Sequence, residues 1–247
     1  MNVIQFSGGR SSAYMTKRLI DEGMTDFVVL FQNTGKESPE TLDFVNECDK
    51  RWGLNVVWLE YRSRNSYEVV TYETASRNGE PFEMVINDNK RLPGGFMRFC
   101  TKELKMKPAK RYLKSIGIVE CDKYLGIRYD EPRRWMKRVG VEDEFLPLVK
   151  WKVTKGDILN YWYQSDFDLN LDEPFGNCDL CFHKKPSKIK HIAKHYPEKF
   201  DWWIQMENKW NHYFRNDGPM QKYLDNAHKQ YDMFDDDEDS SCFCNVD

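Results

Sequence analysis

Residues 7 to 12, Ser7-Gly8-Gly9-Arg10-Ser11-Ser12, follow the short apolar run from Val3 to Phe6 and open an amphipathic stretch. A glycine-rich turn between an expected strand and an expected helix suits phosphate chemistry. Gly8 and Gly9 lack a Cβ, so the backbone turns tightly and brings its N–H groups close to an anion at the positive end of the helix. Ser7, Ser11 and Ser12 add hydroxyl donors, and Arg10 adds a charge-assisted fork.

Seven cysteines supply a second chemistry. Cys178-x2-Cys181 offers two thiolates from one turn, Cys242-x-Cys244 offers two more near the C-terminus, and Cys100 is a fifth candidate. Four thiolates suit a [4Fe–4S] cluster or, alternatively, tetrahedral zinc. Cys48 and Cys121 read as core residues. The series Cys178-x2-Cys181-x9-His191-x3-His195, with lysines between 184 and 194, approaches a nucleic-acid-binding zinc finger. Its central gap falls short of the usual spacing of about twelve, and the histidines read better as helix-surface residues.

The elements that must carry these groups alternate strand and helix. Val3 to Phe6 reads as the first strand, and Ala13, Met15, Leu19 and Ile20 recur at helical spacing before Gly23. Phe27 to Phe31 is a continuous apolar run of the kind buried on both faces of a parallel sheet. A second helix starts at Ser38-Pro39-Glu40, with Ser38 as N-cap, and carries Leu42, Val45 and Trp52 inward to Gly53. Val56 to Leu59 makes a third strand, residues 62 to 98 read as a polar stretch, Pro108 opens a helix ending before Gly117, and Lys123 to Ile127 makes a fourth strand. Such units imply right-handed crossovers and a doubly wound, mainly parallel sheet covered by helices, an α/β Rossmann-like fold. Pro174, Gly176 and Asn177 mark a break, so the chain divides into a nucleotide-binding α/β domain over 1–172 and a helical, cysteine-containing extension over 173–247. The acidic run from Asp235 to Asp239 reads as a solvated tail.

At 247 residues there is room for one large α/β domain or a domain with an appendage, and a formal charge of −3 shows no basic excess that would demand a polyanion. No run approaches the ~18 apolar residues of a membrane span, so no membrane partner is expected. With no leader pattern at its start, the protein is expected to be cytoplasmic, and its cysteines to be thiols, metal ligands or core residues rather than disulfides.

Four ordered motifs resemble a known family. The loop Ser7 to Ser12 resembles the pyrophosphate-binding PP-loop of the adenine-nucleotide α-hydrolase superfamily. Asn33-Thr34-Gly35-Lys36-Glu37 with Pro39 to Leu42, Arg98-Phe99-Cys100-Thr101 with Leu104-Lys105 and Pro108, and Gly126-Ile127-Arg128-Tyr129-Asp130-Glu131-Pro132-Arg133-Arg134 are similar to signatures of its phosphoadenosine-phosphosulfate reductase branch. The resemblance implies an adenine nucleotide, either ATP or phosphoadenosine phosphosulfate, held across the carboxyl ends of the strands. Asn33, Thr34 and Gly35 would line its base and ribose, and Arg128, Arg133 and Lys105 would supply cations at the reacting end. Asp130 and Glu131 would hold Mg²⁺ if ATP is bound, or pair with the arginines if it is not. Cluster-bearing members imply Cys100, Cys178 and Cys181 as three ligands, with Cys242 or Cys244 as the fourth.

The reductases of this branch use a C-terminal Glu-Cys-Gly-x-His element that this sequence lacks. The resemblance therefore points first to a PP-loop enzyme that cleaves ATP between the α and β phosphates, adenylates an acceptor and transfers sulfur to it, as in phage-type and sulfur-transfer-like members. Its partners would be a sulfur donor protein or thioredoxin-like reductant and an acceptor that includes nucleic acid among its candidates. The alternatives are a sulfonucleotide reductase and a non-catalytic nucleotide- or nucleic-acid-binding metal module.

Overall fold

Strand and helix signals of the first half become a six-stranded sheet in a computed structural model that describes residues 1–95, 97–172, 175–176 and 178–229. The elements, in chain order, are β1 (Asn2–Gln5), α1 (Arg10–Asp21), β2 (Phe27–Asn33), α2 (Pro39–Trp52), β3 (Val57–Ser63), β4 (Ser66–Val70) and α3 (Glu80–Asn89). A π-helical segment (Thr101–Met106) leads into α4 (Lys107–Ser115), followed by β5 (Asp122–Leu125), α5 (Pro132–Trp135), β6 (Glu144–Phe145), α6 (Pro147–Lys150) and α7 (Lys155–Tyr163). The C-terminal part holds α8 (Pro186–His195), α9 (Asp201–Trp210) and α10 (Met220–Asp225).

Spatial order in the sheet is β4-β3-β2-β1-β5-β6. All neighbours are parallel except β3 and β4, which pair antiparallel. The stretch read as polar from 62 to 98 thus contains an edge strand and α3. Strand β4 is mostly exposed, which hides the apolar alternation expected of a half-buried strand. The chain moves from β1 outward to β3, then returns to the other side of β1 to form β5. That reversal opens a crevice at the carboxyl ends of β1 and β5, where sheets of this kind hold ligands.

Side chains alternate across the sheet as a period of two requires. Ile4, Phe6, Val29, Phe31 and Trp58 pack on one face against Ala13, Met15 and Leu19 of α1, Leu42, Val45 and Cys48 of α2, and Trp162 of α7. Val3, Leu30 and Leu59 face the other way, onto Ala109 and Leu113 of α4. The extension is continuous with this body, since Tyr61 of β3, Phe82 and Ile86 of α3 and Leu104 share one cluster with Ile189, Ile192, Trp203 and Met220. Ser38 occupies the N-cap position of α2, but its hydroxyl caps nothing and is buried without a hydrogen bond. Cys48 is fully buried, as expected, whereas Cys121 is half-buried.

The π-helical segment has a cause in sequence. Pro108 has no N–H to donate to residue 104 and its ring crowds that carbonyl, so the turn before it widens. The Lys107 N–H accordingly bonds to the Lys102 carbonyl, five residues back.

Gly8 sits at φ 78°, and a Cβ there would lie 2.6 Å from Thr41 Cγ2 and 3.1 Å from Phe31. Gly8→Ala should therefore lower the unfolding free energy by about 2–4 kcal/mol through strain and overpacking, with Thr41→Ser recovering only the packing part. Denaturant unfolding of the single and double variants checks this. A neutral Gly8→Ala would show that the loop is not held as described.

Candidate functional site

At the reversal of strand order β5 and α1 meet closely. Gly126 follows β5 so closely on the helix that a Cβ there would lie 2.9 Å from Ser12 Cα and 3.1 Å from its nitrogen. Inside the loop, the Ser12 hydroxyl donates to the Gly9 carbonyl at 2.9 Å and accepts from the Ser7 N–H at 3.2 Å, so Ser12 staples the turn from within. Gly9 is the N-cap of α1, in extended conformation at φ −101° and with no side-chain cap. A twelve-residue helix thus starts at the carboxyl edge of the sheet with its N-terminal dipole toward the crevice, the arrangement that binds an anion.

Arg128 reaches back over this loop. One guanidinium nitrogen lies 3.4 Å from Ser11 Oγ, and Nε donates to Asp130 at 2.9 Å. The second Asp130 oxygen accepts the Lys155 N–H at 3.0 Å, and Glu131 accepts from the Arg128 N–H at 3.0 Å and from Arg134 at 2.5 Å. Asp130 and Glu131 thus each pair with an arginine. Arg134, rather than Arg133, is the buried arginine, while Arg133 is exposed. Arg10 departs from expectation: its guanidinium forks onto Asp168 at 2.7 and 2.8 Å and also donates to the Leu169 carbonyl. It braces the loop against the segment after α7.

The loop after β2 is almost wholly buried. Asn33 spends its amide on Glu60 (2.7 Å) and the Ser76 carbonyl (2.8 Å) and accepts the Gly35 N–H at 3.1 Å, so it builds the loop rather than lining a ribose. Thr34 donates its N–H and its hydroxyl to Glu37 Oε2, both at 2.8 Å. Glu37 Oε1 has no hydrogen bond and faces Lys105 Nζ at 4.0 Å. Burial pushes the Glu37 carboxyl above the usual range, with the Lys105 charge and the Thr34 bonds pulling it back. Lys36 and Asp179 form an ion pair at 3.1 Å, reinforced by the Asp179 N–H donating to the Lys36 carbonyl at 2.8 Å.

That pair brings the cysteines in. Cys178 Sγ lies 3.8 Å from Thr34 Oγ1. Cys100, Cys178 and Cys181 line one small cavity of about 20 Å³ together with Thr34, Thr101 and Lys105, walled by Leu104, Phe82, Phe182 and Trp203. The space is that of about one water molecule, and burial pushes the Cys100 thiol up. Among the described residues no three His, Cys, Asp or Glu side chains are grouped so as to hold a metal ion. The cysteine donors lining the cavity are soft thiols with no carboxylate or imidazole among them, chemistry that suits soft metals rather than Mg²⁺. His191 and His195 are exposed on α8 while Cys178 and Cys181 are buried, which removes the zinc-finger arrangement. Cys242 and Cys244 lie outside the described residues.

Sequence reasoning missed Lys36, Glu37 and Asp179 as a connected set. The only signals were an acidic residue between two cysteines and a Lys-Glu step after Thr34-Gly35.

The profile of the phosphoadenosine phosphosulfate reductase domain family matches residues 1–171. The chain is 34% identical over 207 residues to an uncharacterized nin region protein of Escherichia phage lambda, covering 78% of this chain and 70% of that one. It is 25% identical over 211 residues to an uncharacterized protein of Methanocaldococcus jannaschii, covering 81% of this chain and 46% of the archaeal protein. A second uncharacterized protein of that archaeon is 20% identical, with 40% of its length covered, so the chain spans less than half of both archaeal relatives.

Because the folded-state pKa of Glu37 is raised, the native state loses stability as pH rises from the unfolded value through the folded one. Lys105→Met removes the nearest cation and widens that window. Its cost should be about 3 kcal/mol at pH 8 and clearly smaller at pH 4, measured by urea unfolding, and adding Glu37→Gln should flatten the pH dependence. A pH-independent cost for Lys105→Met would show that the two groups are not coupled.

Proposed function

Because this chain belongs to the phosphoadenosine phosphosulfate reductase domain family, we propose that it is a PP-loop enzyme that uses ATP to activate an acceptor for sulfur transfer. An acceptor oxygen attacks the α-phosphorus and the bond to the β-phosphate breaks, giving an adenylated acceptor and pyrophosphate. Sulfur from a donor protein then displaces AMP, breaking the bond between the acceptor and its adenylated oxygen.

One observation carries the reading. The loop after β1, suited to phosphate, and the loop after β2, which sets Thr34 beside Cys178 Sγ, leave adjacent parallel strands at the same edge of the sheet. Neighbouring strands are about 4.8 Å apart, so a nucleotide on the first loop would lie beside the second, against which Cys178 packs. The amides at the start of α1 stabilise charge on the departing pyrophosphate, a role worth about 3 kcal/mol per well-placed donor. Arg128, held by Asp130 and set over Ser11, presents its remaining N–H groups to phosphate oxygens. Lys105 and Glu37 keep a buried charge pair behind the thiols. Cys100, Cys178, Cys181 and one of Cys242 or Cys244 would hold a [4Fe–4S] cluster, which when bound supplies an electron-rich iron–sulfur centre beside the nucleotide.

Gly9 has a backbone any residue adopts, so Gly9→Val tests the ligand space rather than the fold. It should abolish ATP binding in calorimetry with unfolding unchanged, and Arg128→Lys should weaken binding or turnover about tenfold, or ~1.4 kcal/mol. Release of AMP and pyrophosphate from ATP supports the reading. Turnover of phosphoadenosine phosphosulfate without ATP assigns the reductase reaction instead, and unchanged affinity of Gly9→Val for both nucleotides removes the site.

Protein purified without oxygen should contain iron and acid-labile sulfide, both lost in Cys178→Ser and Cys181→Ser and retained in Cys48→Ala. Zinc without sulfide would assign the alternative metal, and a full complement of metal in the Cys178→Ser variant would remove Cys178 from the ligand set.

A further inference from the structure

Residues 183 to 195 contain five lysines, three histidines and no acidic residue. They form the lead-in to α8 and the helix itself, whose Ile189, Ile192 and Ala193 are buried. The opposite face is basic: Lys194, His191 and His195 are exposed and Lys185 and Lys188 half-buried, and none of these lysines makes an ion pair among the described residues. The nearest acidic residues in sequence do not neutralise this face. Asp179 is committed to Lys36, and Glu198 lies beyond the end of the helix.

The described chain leaves from beside this helix. Ala227 is buried in the same cluster as Ile189, Ile192 and Ala193, and the Lys229 N–H bonds to the Asn226 carbonyl. The remaining residues, 230 to 247, hold seven acidic side chains and no Lys, Arg or His, with five of the seven consecutive from Asp235 to Asp239. Cys242 lies thirteen positions beyond Lys229, a reach of up to about 43 Å when extended. Helix α8 has ten residues and is about 15 Å long. The other end of α8 begins five residues after Cys181, at the cavity of Cys100 and Cys178.

We infer that the acidic run Asp235 to Asp239 docks on the basic outer face of α8, and that this docking directs Cys242 and Cys244 toward the three-thiol cavity. The occupant is fixed by charge complementarity and by where the chain emerges. The docking itself does not depend on the nucleotide reading; only its consequence for Cys242 and Cys244 rests on the proposed thiolate centre. Exposed ion pairs of this kind are screened by salt over about 8–10 Å, so the contact is strong at low ionic strength and reversible.

Amine acetylation read by mass spectrometry tests it on the full chain, on a chain ending at Lys229, and on a full-length variant with Asp235 to Asp239 changed to Asn. At low salt, Lys185, Lys188 and Lys194 should react at least threefold more slowly in the full chain than in either comparison form. Lys110 and Lys150, distant in sequence from α8, should be unaffected, and 0.5 M NaCl should erase the difference. Equal rates in all forms, or protection that appears only when an oligonucleotide is added, overturn the docking. Cys242→Ser with Cys244→Ser separates the two readings: protection that persists while metal content is unchanged keeps the docking and removes these cysteines from the centre.

Discussion

Lys36, in the loop after β2, and Asp179, between the two cysteines of the C-terminal turn, meet at 3.1 Å with side-chain exposures of 9% and 7%. Taking two charges out of water costs several kcal/mol each unless geometry and further hydrogen bonds offset it. Here they do: Asp179 also accepts Trp203 Nε1–H at 3.1 Å and the Leu180 N–H at 2.7 Å, and the Lys36 ammonium lies 5.1 Å from the centre of the Trp202 ring. Such a pair contributes position more than stability. It adds a polar link between the α/β sheet and the helical extension beside their shared core, and it sets Cys178 against Thr34.

Around this point the chain accepts local irregularities that a regular fold would avoid. A π-helical segment carries Lys105 toward Glu37, and the thiol of Cys100, just before that segment, lines the same cavity. Ser38 leaves its helix uncapped, and Glu37 keeps one carboxylate oxygen without a hydrogen bond. Buried groups of this kind each cost about 1–3 kcal/mol, and they persist because the surrounding core is extensive.

The glycine loop shows a different economy. Its order is internal: Ser12 staples Gly9, Gly8 fits where no Cβ would, and Arg10 is anchored on Asp168 far along the chain. With Arg10 committed to Asp168, Arg128 is the cation set over the loop, brought there by the reversal of strand order between β1 and β5. In the proposed reading, phosphate would be held by backbone dipoles and one positioned guanidinium.

The α/β class, the parallel run of strands, the glycine turn and the meeting of Cys100, Cys178 and Cys181 at one cavity were legible in the sequence, because apolar periodicity, glycine placement and motif spacing are local properties of the chain. The exposed antiparallel β4, the shared core of the extension, the redirection of Arg10, the inward role of Asn33 and the Lys36–Asp179 pair were not. Strand β4 is hidden by its exposed residues, the side-chain contacts of Arg10, Asn33 and Lys36 reach partners 27 to 158 residues away, and a side chain with several satisfiable donors does not declare from its own position which one it will use. Residue types thus determined which chemistries were available. Tertiary structure decided which side chains were consumed in holding the loops and which were left to face a ligand, because burial allows each polar group only the partners that packing brings within hydrogen-bond distance.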